Sequence, residues 1–303
     1  MKKCAVIGSI NTDMVASMHR FPAPGETVTG NLFRTVFGGK GANQAVALAR
    51  LGVETHMAGK IGSDIFGKNY FEHLQAEGVH TEAVETAADE TTGIADIRVN
   101  AAGENSIVVI PGANAKCDVE WLNAALSKLQ DCEIFLLQLE IPLETVFCAL
   151  KKLREMGKTV ILDPAPAVAL PDEVLACCDY ITPNETELEI LTGELPAETP
   201  FEARIAHLAK KAHCTVIHKR GASGAFIGSA DSLQPVSGFR VKAVDTTAAG
   251  DTFNAGLAAG LSENLPLADC VRLANAAGAL SVTAFGAQGG MPTRAMIREK
   301  FGI

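Results

Sequence analysis

Asp245-Thr246-Thr247-Ala248-Ala249-Gly250-Asp251-Thr252-Phe253 is the stretch on which the reading of this chain turns. It lies between Phe239 to Val244, which reads as a strand, and an Ala/Gly-rich helical run from Phe253 to Leu261. Small residues at 248 to 250 let backbone N–H groups point at a ligand from a helix start, where the partial positive charge favours an anion. Asp251 could accept a proton from an attacking hydroxyl while those N–H groups stabilise charge on phosphoryl oxygens, the division of labour of phosphoryl transfer. Taken alone, the same letters also write an ordinary helix with an Asp cap.

Outward from this stretch, short β-branched runs recur at Cys4 to Ile7, Ile134 to Leu139, Thr159 to Leu162, Tyr180 to Thr182 and Thr215 to His218, separated mostly by helical patterns. Leu143, Val146, Phe147, Leu150 and Leu153 have the spacing of one buried helix face, and Gly157 stops that helix before the next strand. The alternation predicts an α/β fold of three layers, a mostly parallel sheet covered by helices on both sides. Ligands of such sheets bind outside the carboxyl ends of the strands. Two stretches break the pattern, at about 14–37 and 93–111. The second alternates like a strand pair around the turn Ala101-Ala102-Gly103-Glu104-Asn105. Both are expected to form a small β-sheet, acting as a lid on one catalytic unit spanning 1–303 and as a contact for a second copy of the chain.

Three further groups fall at strand ends or helix starts. Gly8-Ser9-Ile10-Asn11-Thr12-Asp13 follows the first strand, and its Asn and Asp suit neighbouring sugar hydroxyls or, equally, an Asx turn. Gln138-Leu139-Glu140 adds a carboxylate at the same edge. Phe37-Gly38-Gly39-Lys40-Gly41-Ala42-Asn43-Gln44-Ala45 opens an amphipathic helix, with glycines that allow close main-chain approach to a polar ligand or form a plain turn. Pro183-Asn184-Glu185-Thr186-Glu187 places Asn184 and Glu187 one helical turn apart, fit to hold the water shell of Mg²⁺ or to make a capping box.

Composition excludes several classes. Of 303 residues, 26 are Lys or Arg and 35 Asp or Glu, a net charge of −9 that disfavours a nucleic-acid or anionic-membrane surface. No apolar stretch reaches the ~18–20 residues of a membrane span. No two of the eight cysteines stand at C-x-x-C spacing, and they read as free thiols of a reducing, cytoplasmic compartment. Neither a P-loop nor a G-x-G-x-x-G fingerprint is present.

Together these groups resemble the ribokinase family of ATP-dependent carbohydrate kinases. Gly38 to Ala45 is similar to the family's N-terminal signature and Asp245 to Gly256 to its C-terminal one, with Asp251 at the position of the catalytic base. The likeness runs from Gly8 to about Pro292. Over Asn11 to Gly30 the chain resembles the ribose-phosphorylating members more than the fructose-phosphate or adenosine ones. The resemblance implies a ribokinase-like fold and transfer of the ATP γ-phosphoryl group to a pentose hydroxyl, with Ala248, Ala249 and Gly250 as the anion hole. It implies that Asn11, Asp13, Gly39, Lys40, Asn43 and Glu140 hold the sugar, with Ala95 and Ile97 reaching it from the lid. It implies that Asn184 and Glu187 serve phosphate and Mg²⁺, that Lys219, Gly221, Ala222, Ser223 and Gly224 with Gly250 form the ATP-phosphate loop, and that Asn275 lies near adenine. A K⁺ site would draw on Asp245, Thr247 and carbonyls at Val282, Phe285 and Ala287, and a homodimer would form through the lid strands. Where the family usually closes the cation segment with serine, this chain has Gln288-Gly289-Gly290, and Asp96 and Arg98 put charges in the lid. A kinase of deoxyribose, another sugar or a nucleoside, and a non-catalytic sugar- or nucleotide-binding regulator, are the other readings of the same letters.

Overall fold

The apolar runs resolve into two sheets in the computed structural model, which describes residues 1–303. The strands are β1 (Cys4–Ile7), β2 (Asn11–Met18), β3 (Gly30–Gly38), β4 (Thr55–Gly62), β5 (His80–Ala87), β6 (Gly93–Val99), β7 (Asn105–Ile110), β8 (Ile134–Leu137), β9 (Thr159–Leu162), β10 (Tyr180–Ile181), β11 (Thr215–Lys219), β12 (Gly224–Gly228) and β13 (Leu233–Ser237). The helices are α1 (Lys40–Arg50), α2 (Ile65–Ala76), α3 (Val119–Lys128), α4 (Leu143–Glu155), α5 (Asp172–Leu175), α6 (Glu185–Leu191), α7 (Phe201–Ala212), α8 (Ala249–Ser262), α9 (Leu267–Ser281) and α10 (Arg294–Phe301). Nine strands form the large sheet in the order β13-β12-β11-β10-β9-β8-β1-β4-β5, parallel from β11 to β5, with β12 and β13 as an antiparallel edge.

The period of two along each strand splits the core into two layers. Cys4 and Val6 of β1 and Ile134 and Leu136 of β8 face α1, α2, α8, α9 and α10, while Ala5, Ile7, Phe135 and Leu137 face α3 to α7. Both faces are apolar because both are covered, the reason these runs do not alternate with polar residues. Helix α4 occupies the predicted position, with Val146, Leu150 and Leu153 buried. Gly157, at φ 67°, ends it as the Gly157 N–H bonds to the Arg154 carbonyl.

The small sheet has the order β3-β2-β6-β7. The β6–β7 hairpin matches the sequence reading, but β2 begins at Asn11, so Asn11 to Asp13 are strand residues and not an Asx turn. Their side chains are thereby presented by the base of the lid. Phe239 to Val244 is not a strand: the edge is β12–β13, and pairing ends at Ser237. A Cβ at Gly238 would stand 2.6 Å from the Ala222 carbonyl oxygen, so the chain turns there and Phe239 packs on Phe301 instead. Helix α8 starts at Ala249, four residues before the expected Phe253, which puts Asp251 inside the first turn.

Two glycines of α8 set how closely α9 crosses it. A Cβ on Gly256 would lie 2.7 Å from Ala274 Cα, and one on Gly260 2.7 Å from Cys270 Cα. Backbone on the far side of each contact leaves nothing that can rotate away. Gly256→Val is therefore expected to cost at least about 1–3 kcal/mol of stability, as overpacking does. Urea denaturation of the variant against the unaltered protein measures it, and an unchanged midpoint refutes the close crossing.

Candidate active site

Asp251 is 5% exposed, and its carboxylate meets α1. Asn43 Nδ2 donates to Asp251 Oδ2 at 3.0 Å and Gln44 Nε2 to Oδ1 at 3.2 Å. The polarity of both amides is fixed from behind. Gln288 Nε2 donates to Asn43 Oδ1 at 3.0 Å, and Gln138 Nε2 to Gln44 Oε1 at 2.7 Å, so each must turn its NH₂ group to the acid. The N-cap of α8 is Ala248, in the left-handed region at φ 58°, and no side chain caps the helix. Asp251 is thus not a cap. The first-turn N–H groups of α8, which have no carbonyl within the helix to bond, face a polar chamber of about 340 Å³ lined by Ala248, Ala249, Gly250, Asp251 and Lys40.

Acids and bases alternate around that chamber. Lys219 Nζ donates to Asp163 Oδ1 at 2.9 Å and stands 3.7 Å from Glu187 Oε2, while Gln44 Nε2 also donates to Asp163 Oδ2 at 3.0 Å. Burial opposes the charge of Lys219, but Asp163 and Glu187 outweigh it and raise its pKa; Lys40 is raised in the same way against its burial, chiefly by Asp251. Burial lifts the carboxyls of Asp251 and Glu187 above their ordinary values. Asn184 and Glu187 do form a capping box at the start of α6, so the structural reading of that pair holds, and the same carboxylate faces the chamber.

A second, largely apolar cleft of about 480 Å³ opens from the first. Both share Lys219, Gly221, Thr246, Ala249 and Gly250. Ala222, Gly224 and Asn275 also line the larger cleft, whereas Ser223 is exposed outside its lining. Asn275 Nδ2 is engaged by the carbonyls of Val236 and Ser237, holding edge strand β13 against α9. The largely apolar cleft thus opens onto the polar chamber at the start of α8.

On the other side of Asp251, Asp13 is 8% exposed and pairs in register with Ala95 of β6, with Ile97 two residues further along that strand. Burial, then the charges of Glu140 and Asp251, push the Asp13 carboxyl up to about 7. Asn11 Oδ1 accepts from Asn114 Nδ2 at 2.7 Å, and Glu140 Oε2 accepts from Ser9 Oγ at 2.5 Å and from the Lys40 N–H at 3.1 Å. Gly39, at φ 84°, and Gly41 are used for close backbone packing: a Cβ at 39 would meet Asn11 N at 2.6 Å and one at 41 Gly8 C at 2.6 Å. Asp96 and Arg98 pair with each other at 3.0 Å on the exposed side of the lid.

A model of the pfkB family of carbohydrate kinases matches residues 1–294. The chain belongs to that family. This carbohydrate kinase is 42% identical to the ribokinase of Haemophilus influenzae over 294 residues, covering 97% of this chain and 96% of the relative. It is 39% identical to a deoxyribokinase of Salmonella typhi over 298 residues, 97% of each chain. A solved ribokinase of Arabidopsis thaliana, complexed with ribose and ATP, superposes with a TM-score of 0.90 at 34% identity over 99% of both chains. The kinase is an ATP-dependent phosphotransferase, and its α/β fold with a large mostly parallel sheet and a smaller one is that of the solved relatives.

Beside the start of α8, Asp245 Oδ1 accepts from Thr247 N–H and Oγ1 at 3.0 and 2.7 Å, and Oδ2 from the Gly286 N–H at 2.9 Å. Burial opposes the Asp245 charge, but these bonds prevail and hold its carboxyl below the usual range. The Val282 carbonyl accepts from Val244 and Asp245 N–H groups; Ala287 is buried, and Phe285 is exposed beneath the Arg34 guanidinium. At Gly290 a Cβ would stand 1.9 Å from the Ser281 carbonyl oxygen, so no serine fits there.

Sequence reading passed over Asp163, although it directly follows strand β9 and the strand-end rule would have found it. Tyr70 and the role of Gln288 left no such trace. Gln288 Nε2 also donates to the Tyr70 hydroxyl at 2.9 Å, and that hydroxyl donates to the Gly38 carbonyl at 2.6 Å.

The Asp13 shift has a stability consequence. Its carboxyl titrates at about 7 in the fold against 3.8 ordinarily, so the folded state binds more protons and loses stability as pH rises from about 4 through about 7. Asp13→Asn is expected to raise Tm at pH 8 and to leave it nearly unchanged at pH 4. Calorimetry at both values tests this; an equal shift at the two pH values contradicts the burial of charge at Asp13.

Proposed function

We propose that this kinase transfers the γ-phosphoryl group of ATP to the 5-hydroxyl of D-ribose, giving ribose 5-phosphate and ADP. The observation that carries the reading is a buried Asp251 set by two amides of fixed polarity beside an uncapped helix start. Asp251 takes the hydroxyl proton as the sugar oxygen forms its bond to phosphorus. The bond from the γ-phosphorus to the bridging oxygen breaks, and ADP leaves. The main-chain N–H groups of Ala248, Ala249 and Gly250 form the anion hole that steadies the transferring oxygens. Burial brings the carboxyl toward the range in which a general base works near neutral pH.

Asn11, Asp13, Gly39, Lys40, Asn43 and Glu140 hold the sugar, and Ala95 and Ile97 close on it from the lid. Lys219, Gly221, Ala222, Ser223 and Gly224 take the ATP phosphates, with Asn275 toward the base. The chamber's oxygen donors fit Mg²⁺ held through its water shell, since Asn184 and Lys219 already occupy the Glu187 carboxylate. Bound there, the ion would neutralise charge between the phosphates. The carboxylate of Asp245, Thr247 and the carbonyls at Val282, Phe285 and Ala287 are likewise all oxygen donors, suited to K⁺ as an activator. Exposed Leu32, Phe33 and Ile107 to Ile110 on the outer lid support a homodimer through those strands. Eight free cysteines, and no helix long and apolar enough to cross a membrane, support a cytoplasmic enzyme of one catalytic unit with a lid. The 39% identity to a deoxyribokinase keeps the 2-deoxy sugar as the second reading.

ADP release with ribose, deoxyribose and a nucleoside, each with and without potassium, decides the acceptor. Ribose is expected to turn over fastest and potassium to raise the rate; no turnover of ribose beside rapid turnover of another acceptor overturns the assignment. Asp251→Asn is expected to bind sugar and ATP while kcat falls by at least ~10²–10⁴-fold. Retained turnover in that variant would remove Asp251 from the reaction.

A further inference from the structure

At the pole of the sheet opposite Asp251, β4 and edge strand β5 bring a second cluster together. His56 and His80 are register partners near the amino ends of the two parallel strands, and their rings stack with centroids 4.5 Å apart and planes 15° apart. One extra residue on β5 between the His56–His80 and Ala58–Ala83 pairs bulges that strand. Glu82 thereby contacts His56 Nδ1. Two residues before His56, Glu54 presents Oε1 3.6 Å from His56 Nε2.

The polarity of this arrangement is specific. His56 Nε2 is buried without a hydrogen-bond partner. With Glu82 at Nδ1, a metal ion between Nε2 and the Glu54 carboxylate 3.6 Å away would supply the partner that Nε2 lacks. One donor atom each from Glu54, His56 and His80 lies within 4.8 Å of the others. Zn²⁺ bonds of ~2.0–2.2 Å at tetrahedral angles place ligand atoms about 3.4 Å apart, so the three donors need to close by at most roughly 1.4 Å. His80 and Glu54 are exposed and free to move that far. Glu82 behind His56 is the carboxylate that orients and strengthens a metal-ligating imidazole. Lys3 competes for the site, donating to Glu54 Oε1 at 2.8 Å from a side chain that is 40% exposed.

We propose that Glu54, His56 and His80 bind one zinc-class divalent ion, with Glu82 as the orienting partner. The ion clips edge strand β5 to β4, away from the phosphoryl-transfer site. Two imidazoles select a borderline transition metal over Mg²⁺.

Calorimetric titration of the nucleotide-free protein with Zn²⁺ alone is expected to give one ion per chain, undisturbed by millimolar Mg²⁺. His80→Gln should weaken it at least tenfold. Glu82→Gln should weaken it ~10–100-fold, as loss of an orienting partner does. Lys3→Met should tighten binding. Kinase turnover, measured with Mg²⁺ and without added Zn²⁺, should be unchanged in all three variants, which also certifies their folding; His80 is exposed, so its replacement decides the matter even if another variant fails to fold. Zn²⁺ binding that Mg²⁺ displaces, or that survives His80→Gln unaltered, places the ion elsewhere on the chain and overturns the proposal.

Discussion

The structure depends on how Asp251 is held. A carboxylate removed from water at the first turn of α8 is costly unless polar groups surround it, and the groups that do so come from another helix, 207 and 208 residues away. Asn43 and Gln44 can supply N–H donors only because Gln288 and Gln138 occupy their oxygens. Four amides from three separate stretches of chain therefore fix one acid. Such a chain of bonds has few alternative arrangements, and it ties α1, α8, the end of β8 and the turn before α10 into one frame.

Around that acid the charges are arranged so that none is left alone. Lys219 lies between Asp163 and Glu187, and Lys40 is held charged chiefly by Asp251. The chain is acidic as a whole, yet its two chamber lysines and the positive end of α8 give an anion a local place to rest. Next to it lies the largely apolar cleft, so one opening has a charged end and an apolar end. Asp13 is the exception, a buried carboxyl with only Lys40 to offset Glu140 and Asp251, and it is where the fold gives up stability for a polar site.

The lid edge at β7 and the large-sheet edge at β5 are treated differently. The lid leaves a row of apolar side chains from Ile107 to Ile110 open on β7, whereas β5 at the end of the large sheet carries the polar cluster with His80 and Glu82. An apolar edge favours association and a charged one discourages strand pairing. The bulge that brings Glu82 to His56 also interrupts the regular ladder of β5.

Much of this was legible in the letters. The parallel α/β plan followed from continuous apolar runs, because a sheet buried on both faces leaves no polar alternation. The glycine-rich helix starts and the strand-end acids followed from the rule that parallel sheets bind at their carboxyl edge. Local sequence misled at Asn11 to Asp13 and at Phe239 to Val244, since whether a polar or β-branched stretch pairs depends on a neighbouring strand that the stretch does not contain. The same holds for Glu187, whose capping box is written within four residues while its contact with Lys219 is not. Sequence by itself settled the layers and the helix faces, and it pointed to Asp251. The tertiary structure alone decided which amides hold that acid, which lysine meets which carboxylate and which histidines stand side by side, because those contacts join residues brought together by folding and by nothing in their local spacing.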